Sequence, residues 1–128
     1  MKILGIGVDI VEATRIEGSI ARLGESFLLR VFTEAEREYC AKMHRPSVHY
    51  AARFAAKEAV SKAFGTGICQ GVGWRDIEVR RKASGEPFVV LHGGAADWAK
   101  NHGVTEVLLS LSHSEHYAVA QALAIGAL

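Results

Sequence analysis

Residues that staple or break a chain are scarce: the 128-residue sequence holds two cysteines and two prolines. Cys40 and Cys69 lie far apart and outside any CxxC context, so neither a disulfide framework nor a zinc site is indicated, and reduced thiols in a cytoplasmic protein are expected. An excess of one charge is also missing. A formal net charge of +1 argues against a strong nonspecific nucleic-acid binder, although a local basic patch could still meet an acidic partner. Long hydrophobic runs are absent as well. No segment approaches the roughly 20 apolar residues that cross a bilayer, and Asp9, Glu12 and Arg15 interrupt the apolar N-terminus before a signal-peptide core can form. Neither a Walker phosphate loop nor a GxGxxG fingerprint occurs, since Gly5-Ile6-Gly7 lacks the third glycine. What is present is the composition of an ordinary globular domain, 49% hydrophobic and 23% charged. The length suits one domain over residues 1–128 with a single core.

Residues 2–10, rich in Ile and Val, predict a strand, with Gly5 and Gly7 leaving room on one face for a close neighbour and Asp9 at its C-terminal end. Over 11–23, Ile16, Ile20 and Leu23 recur at helical spacing and put Arg15, Ser19 and Arg22 on another face. That is a short amphipathic helix with a basic side, which Gly24 would stop. After a short apolar piece at 27–31, Thr33-Glu34-Ala35-Glu36 has the pattern of a capping box, opening a helix over 34–43. His44-Arg45-Pro46-Ser47 breaks it, and a long helix over 48–64 follows, ended by Gly65 and Gly67. Strands are predicted at 76–81, 87–91, 107–112 and 117–123, with a hairpin turn at 83–86 and one more helix at 94–102. Helices and strands segregate rather than alternate, which favours an α+β fold with an antiparallel sheet packed on the long helix.

That long helix divides its surface unusually. At roughly 100° per residue, Glu58, Lys62 and Gly65 fall within about 60° of one another, while Ala52, Ala56, Ala59, Val60 and Ala63 take the far side. By spacing, Glu58 and Lys62 are an i,i+4 pair in the favourable orientation and read as a surface ion pair. Asp9 adds a carboxylate in an otherwise apolar run, where a buried charge needs a partner; its other reading is a cap on the helix that starts nearby. Two such carboxylates also suit magnesium, which takes one or two and completes its octahedron with water and substrate phosphates. The HxxH of His113 and His116 reads first as polar residues at a hairpin connection, with His113 able to donate to a phosphate if the pocket binds a nucleotide. Ser61 has no accompanying base and orienting acid, which counts against a serine hydrolase. Gly65-Thr66-Gly67 follows its helix and so is a C-cap, not a phosphate loop. Arg15 and Arg22 are either a solvated helix face or, with Phe27, a mixed basic and apolar docking surface. The alanine side of the long helix would pack either the core or a subunit interface.

The segments GIGVDIVE (5–12), ARFAAKEA (52–59) with SKAFGTG (61–67), WRDIE (74–78), SGEP (84–87) and SLSH (110–113) resemble, in order and separation, the small bacterial 4′-phosphopantetheinyl transferases of the holo-[acyl-carrier-protein] synthase type. The resemblance spans nearly the whole chain. It implies that family's fold and a Mg²⁺-dependent transfer of 4′-phosphopantetheine from coenzyme A to a serine of an apo acyl carrier protein, releasing adenosine 3′,5′-bisphosphate in fatty acid biosynthesis. Asp9 and Glu58 are then the Mg²⁺ ligands, and Lys62 a second positive charge on the same phosphates, the three forming the catalytic set. Gly65 joins Lys62 at the co-substrate, Arg53 and His113 match positions that bind the 3′-phosphate, and Ser84, Gly85 and Pro87 match a loop that lies against the adenine. As general base, a metal-bound water is favoured over Glu58, because a carboxylate that ligates magnesium is a poorer base. Arg15, Arg22, Phe27 and Arg30 fall at the contact with the acidic carrier protein; Glu25-Ser26 stand where some relatives carry a further basic residue. The resemblance also implies a homotrimer with active sites between subunits, so that Asp9 and Arg53 act from different chains. Two rivals remain: a noncatalytic module that holds coenzyme A or carrier protein, and a small nucleotide phosphohydrolase using the same carboxylates.

Overall fold

The computed structural model describes residues 1–128. In chain order the elements are β1 (Lys2–Glu12), α1 (Ala13–Leu23), α2 (Glu25–Val31), α3 (Glu34–Ala41), α4 (Pro46–Phe64), β2 (Ile77–Arg81), β3 (Pro87–Leu91), α5 (Gly93–Asn101), β4 (Val104–His113) and β5 (Tyr117–Gly126). The fold is α+β with antiparallel strands, as the segregated pattern predicts. The strands divide into a three-stranded sheet in the order β1-β5-β4 and a separate β2-β3 hairpin.

Local chemistry explains most boundaries. Thr33 and Glu36 form the expected capping box, and Gly65, in the left-handed region at φ 82°, closes α4. Other boundaries moved. β1 runs on to Glu12 because Val11 and Glu12 pair with Ala118 and Tyr117 of β5, so α1 starts at Ala13 and not at residue 11. Pro46 does not break α4 but starts it, since the N–H it lacks has no partner in a first turn. The piece at 27–31 belongs to a helix, α2. β4 and β5 are both longer than predicted because they pair with each other along their whole length.

Helix α4 lies across the inner face of the three-stranded sheet, and small side chains set that distance. Ala118, Ala120, Ala122 and Ala124 line the inner face of β5, all essentially inaccessible to solvent. On β1, a Cβ at Gly5 would overlap the carbonyl oxygen of Ala63, and one at Gly7 that of Ala59. The alanine side of α4 therefore packs the core of its own chain; Ala52, Ala56, Ala59 and Val60 are at most 1% exposed. Between Ala51 and Phe64 every residue is buried except Glu58 and Lys62. The charged strip is the one opening along that stretch of the helix.

The outer face of the same sheet is apolar and uncovered in the single chain, with Ile6, Val8 and Ile10 of β1 at 60%, 57% and 64% exposure. No helix is long and apolar enough to cross a membrane.

Candidate active site

Asp9 lies on the inner side of β1, in line with Gly5 and Gly7 and opposite Ala120. This alternation aims its carboxylate at α4. Lys62 donates from Nζ to Asp9 Oδ1 and to the carbonyl oxygen of Val8, each at 3.0 Å. The i,i+4 pair that spacing suggests between Glu58 and Lys62 does not form, because the lysine reaches across to the strand. Nor does Asp9 cap the next helix, where Glu12 takes the N-cap position without a side-chain bond. Glu58, one turn before Lys62 and half-buried, has no basic side chain bonded to it. Its carboxyl is held above the usual carboxylate range, first by burial and then by the charge of Asp9, with Lys62 and Arg15 pulling the other way.

Two coupled carboxylates on rigid elements, with no third acidic, His or Cys side chain joining them, are a poor zinc site but fit magnesium. Asp9 already holds one cation, the lysine ammonium, so its oxygen is placed for positive charge. Gly65 returns its N–H to the Lys62 carbonyl at 2.9 Å and fixes the end of α4 beside the lysine. Ser61 is buried and donates to the Glu58 carbonyl at 2.8 Å, which leaves it no role as a nucleophile.

A second cluster is purely basic. Arg53, 1% exposed, lies over Tyr39 of α3 with its guanidinium carbon 4.1 Å from the ring centre. Arg81, at the end of β2, faces the same ring at 5.7 Å and donates to the carbonyl of Gly85. The His49 ring packs edge-on against that of His113 at 5.3 Å. Burial, followed by the charges of Arg53, His113 and Arg81, holds the His49 imidazole below its ordinary range. His49 Nδ1, Arg53 Nε and Arg81 Nε are buried without a hydrogen-bond partner. Arginine donors left without acceptors in a surplus of positive charge are what a bound anion would satisfy. His49 and His113 line a groove of about 550 Å³ with His44, Arg45, Ser114 and Glu115, while Arg53 and Arg81 line a smaller hollow of about 180 Å³ beside Tyr39.

The structure thus brings Arg53 and His113 into one cluster and ties it, through Arg81, to the β2–β3 turn that carries Ser84, Gly85 and Pro87. His44, Arg45, His49, Tyr39 and Arg81 are additions that were not foreseen. One signal was available: Arg45, His49, Arg53 and Lys57 recur every four residues, a basic stripe along one side of α4. His113 closes β4 and His116 sits in the hairpin connection, where the HxxH spacing puts polar residues.

The residues expected at a partner surface divide. Arg15, Phe27 and Arg30 line a groove of about 250 Å³ between α1 and α2, floored by Ile16, Phe54 and Trp74. Arg22 lies outside that groove, in the last turn of α1. Arg15 reaches both ways, its guanidinium 5.8 Å from the Phe54 ring while its charge acts on Glu58. The groove and the carboxylates are therefore neighbours.

Lys57, beside Glu58 in sequence, points into the core. It is 0% exposed and spends its three donors on Glu36 Oε1 at 2.8 Å, the Trp74 carbonyl at 3.0 Å and the Ile77 carbonyl at 2.6 Å. Glu36 in turn accepts from the backbone N–H groups of Thr33 and Val79. This satisfied network anchors α4 to α3 and β2, and with them the position of Glu58.

The model of the 4′-phosphopantetheinyl transferase superfamily matches residues 5–122. A holo-[acyl-carrier-protein] synthase of Desulforudis audaxviator is 51% identical over 97% of this chain and 94% of its own. Among solved structures, the holo-[acyl-carrier-protein] synthase of Neisseria meningitidis superposes with a TM-score of 0.91 at 35% identity, covering 97% of this chain and 99% of the other. That of Bacillus anthracis, in complex with CoA (3′,5′-ADP), gives 0.79 at 40% identity and covers 98% of each. Motif order, fold and full-length similarity agree, and the chain belongs to the 4′-phosphopantetheinyl transferase superfamily, among its holo-[acyl-carrier-protein] synthases.

Proposed function

We propose that this chain transfers 4′-phosphopantetheine from coenzyme A to a serine of an apo acyl carrier protein in the cytoplasm, with Mg²⁺ as cofactor. The observation that carries the reading is the placement of Asp9, Glu58 and Lys62 together where the buried stretch of α4 opens to solvent, beside the groove of Arg15, Phe27 and Arg30. Asp9 and Glu58 hold the metal. When bound, Mg²⁺ supplies a Lewis acid on the pyrophosphate and offsets charge developing on the leaving group. Lys62 binds the same phosphates from the solvent side, and Gly65 keeps the helix end in place. Arg53 and His113 grip the 3′-phosphate, while Ser84, Gly85 and Pro87 lie against the adenine.

Arg15 and Arg30 pair with carboxylates of the acidic carrier, Phe27 fills the apolar contact, and Arg22 adds a long-range attraction from outside the groove. Docking there delivers the carrier serine next to Glu58. The serine oxygen bonds to the phosphorus that bears the pantetheine arm, the pyrophosphate P–O bond breaks, and adenosine 3′,5′-bisphosphate leaves while the serine proton passes to solvent. Positioning and charge stabilisation, rather than covalent chemistry by the protein, account for the rate.

The assembly is a homotrimer with sites between subunits, so that Asp9 and Arg53 act from different chains. The exposed apolar row of Ile6, Val8 and Ile10 supports a partner on the sheet's outer face; sedimentation at micromolar concentration, expected to give three chains, checks it. For the activity, purified protein is mixed with coenzyme A, Mg²⁺ and an apo carrier protein. The carrier's mass should rise by one phosphopantetheine through many turnovers per enzyme. No rise with any of several carrier proteins would sink the transferase reading. Product limited to one equivalent would leave a binding module, and adenosine bisphosphate released without carrier would indicate a phosphohydrolase.

A further inference from the structure

Resting on the metal reading above, one feature of the same site points to how it is loaded. Lys62 does not stand apart, waiting for phosphate. Its ammonium is committed to Asp9 Oδ1 and to the Val8 carbonyl, both at 3.0 Å. Its own-helix neighbour Glu58 is left without a bonded cation, although the two share a face. The lysine side chain is 50% exposed and the Asp9 side chain 18%. One end of this ion pair is therefore open to solvent, while the other sits on a strand against the helix.

We propose that Lys62 is an exchangeable counterion: it occupies Asp9 until a divalent cation and a pyrophosphate arrive together, when the cation takes Asp9 and Glu58 and the ammonium moves to the phosphates. The physical basis is charge balance. A divalent ion placed on Asp9 with Lys62 still bonded there would meet a unit positive charge at contact distance, on an oxygen already in use. Releasing Lys62 alone exchanges a good partner for water. Releasing it onto an anion restores the pair. Metal alone thus binds against an internal competitor, metal with pyrophosphate does not, and each raises the affinity of the other by the same factor. Lys62 thereby couples the two ligands, in addition to touching one of them.

The coupling is read by binding, not turnover. Free Mn²⁺ is titrated by electron paramagnetic resonance into the chain, alone and with saturating coenzyme A, with no carrier protein present. For the wild type, Mn²⁺ alone should bind weakly, and coenzyme A should tighten it by about a hundredfold, within the range of ordinary coupling energies. In Lys62→Met, Mn²⁺ alone should bind about tenfold more tightly than to the wild type, since a competing unit charge is gone. The gain from coenzyme A should shrink to a few-fold. The two changes have opposite signs. Lys62→Arg, which keeps the charge and the reach, should stay near wild type. Arg15→Met removes a positive charge that also acts on Glu58 but is not bonded to Asp9, and should change Mn²⁺ affinity by about twofold at most, as expected of a screened charge. Circular dichroism and a thermal melt on each variant establish that the fold persists.

Lys62→Met binding Mn²⁺ no better than wild type, or Arg15→Met improving it equally, would overturn the exchange while leaving the metal site intact. No Mn²⁺ binding by the wild type even with coenzyme A would overturn the metal reading and the exchange together.

Discussion

Lys57 and Glu58 are adjacent, yet they serve opposite ends of α4's work. Lys57 and Glu36 form an ion pair at 0% side-chain exposure in which the lysine's three donors and both carboxylate oxygens are used. Glu58, Asp9 and Lys62 form a cluster with one lysine for two carboxylates and an open side. The first group is complete, and nothing can be added to it without breaking a bond. The second is left incomplete, holds a carboxyl above its usual range, and opens to solvent at Lys62. A buried charge network that is fully satisfied fixes position. One that is under-satisfied at a solvent opening can bind. The proposed metal site would need both, because Glu58 would be an accurate ligand only if the helix behind it does not shift.

The contrast can be broken at either end. Asp9→Asn and Glu58→Gln should each lower kcat by about 10³-fold, roughly 4 kcal/mol of transition-state stabilisation, while the unfolding free energy changes by no more than about 1 kcal/mol. Carrier mass assays and urea melts on the same preparations measure the two quantities. A variant that kept wild-type turnover would contradict the metal assignment. Lys57→Met should do the reverse, costing about 3–5 kcal/mol of stability because Glu36 is left charged and unpaired in the core, and acting on turnover mainly through the folded fraction. A urea midpoint within error of the wild type would show that the buried pair anchors nothing.

Gly7→Ala probes the seat of the helix. Its Cβ would meet the Ala59 carbonyl, which is backbone and cannot swing aside, so a loss of about 1–3 kcal/mol is expected in the same melt. A neutral result would mean that α4 can lift from the sheet, and that the open cluster is not rigidly backed.

The smallest effect compares two glutamates by sign. Burial and Asp9 raise the Glu58 carboxyl, so its ionisation opposes folding, and stability is lost as pH rises through its elevated value. Glu58→Gln, melted in EDTA, should therefore be more stable than wild type at pH 7, with the gain vanishing below about pH 4. The gain should be no more than about 1 kcal/mol, because solvent screens a half-exposed group. Burial alone would raise Glu78 too, but hydrogen bonds from Thr33, His92 and Arg80, with the charge of Arg80, outweigh it and hold the carboxyl low. Its contribution is present above the ordinary carboxylate range and lost as pH falls through the lowered value. Glu78→Gln should accordingly be less stable than wild type at pH 7, and the deficit should narrow in acid. Parallel pH curves for the two variants would remove the distinction.

Much of this architecture is legible locally. The capping box at Thr33 and Glu36, the stop at Gly65, the helix register that puts Glu58 and Lys62 on one strip, and the hairpin around Gly85 all follow from chemistry within a few residues. Most boundaries that moved are set by distant partners: β1 is lengthened to Glu12 by Tyr117 and Ala118, and β4 and β5 by each other, whereas the start of α4 at Pro46 is local. The basic cluster shows the same limit. Arg53 could be singled out, but Tyr39 and Arg81 join it from α3 and β2, and nothing in their own neighbourhoods marks them.

By itself, the order and spacing of residues determined which side chains share a face of each element, because a helix repeats every 3.6 residues and a strand every two whatever surrounds them. Tertiary structure alone decided what each charge meets. Lys62 chose Asp9 on another element over Glu58 on its own, Lys57 turned inward to Glu36, and the alanine side of α4 closed on Gly5 and Gly7 of its own chain. The choice between partners far apart in sequence rests on which surfaces pack and which stay wet, and that is fixed only when the whole core has formed.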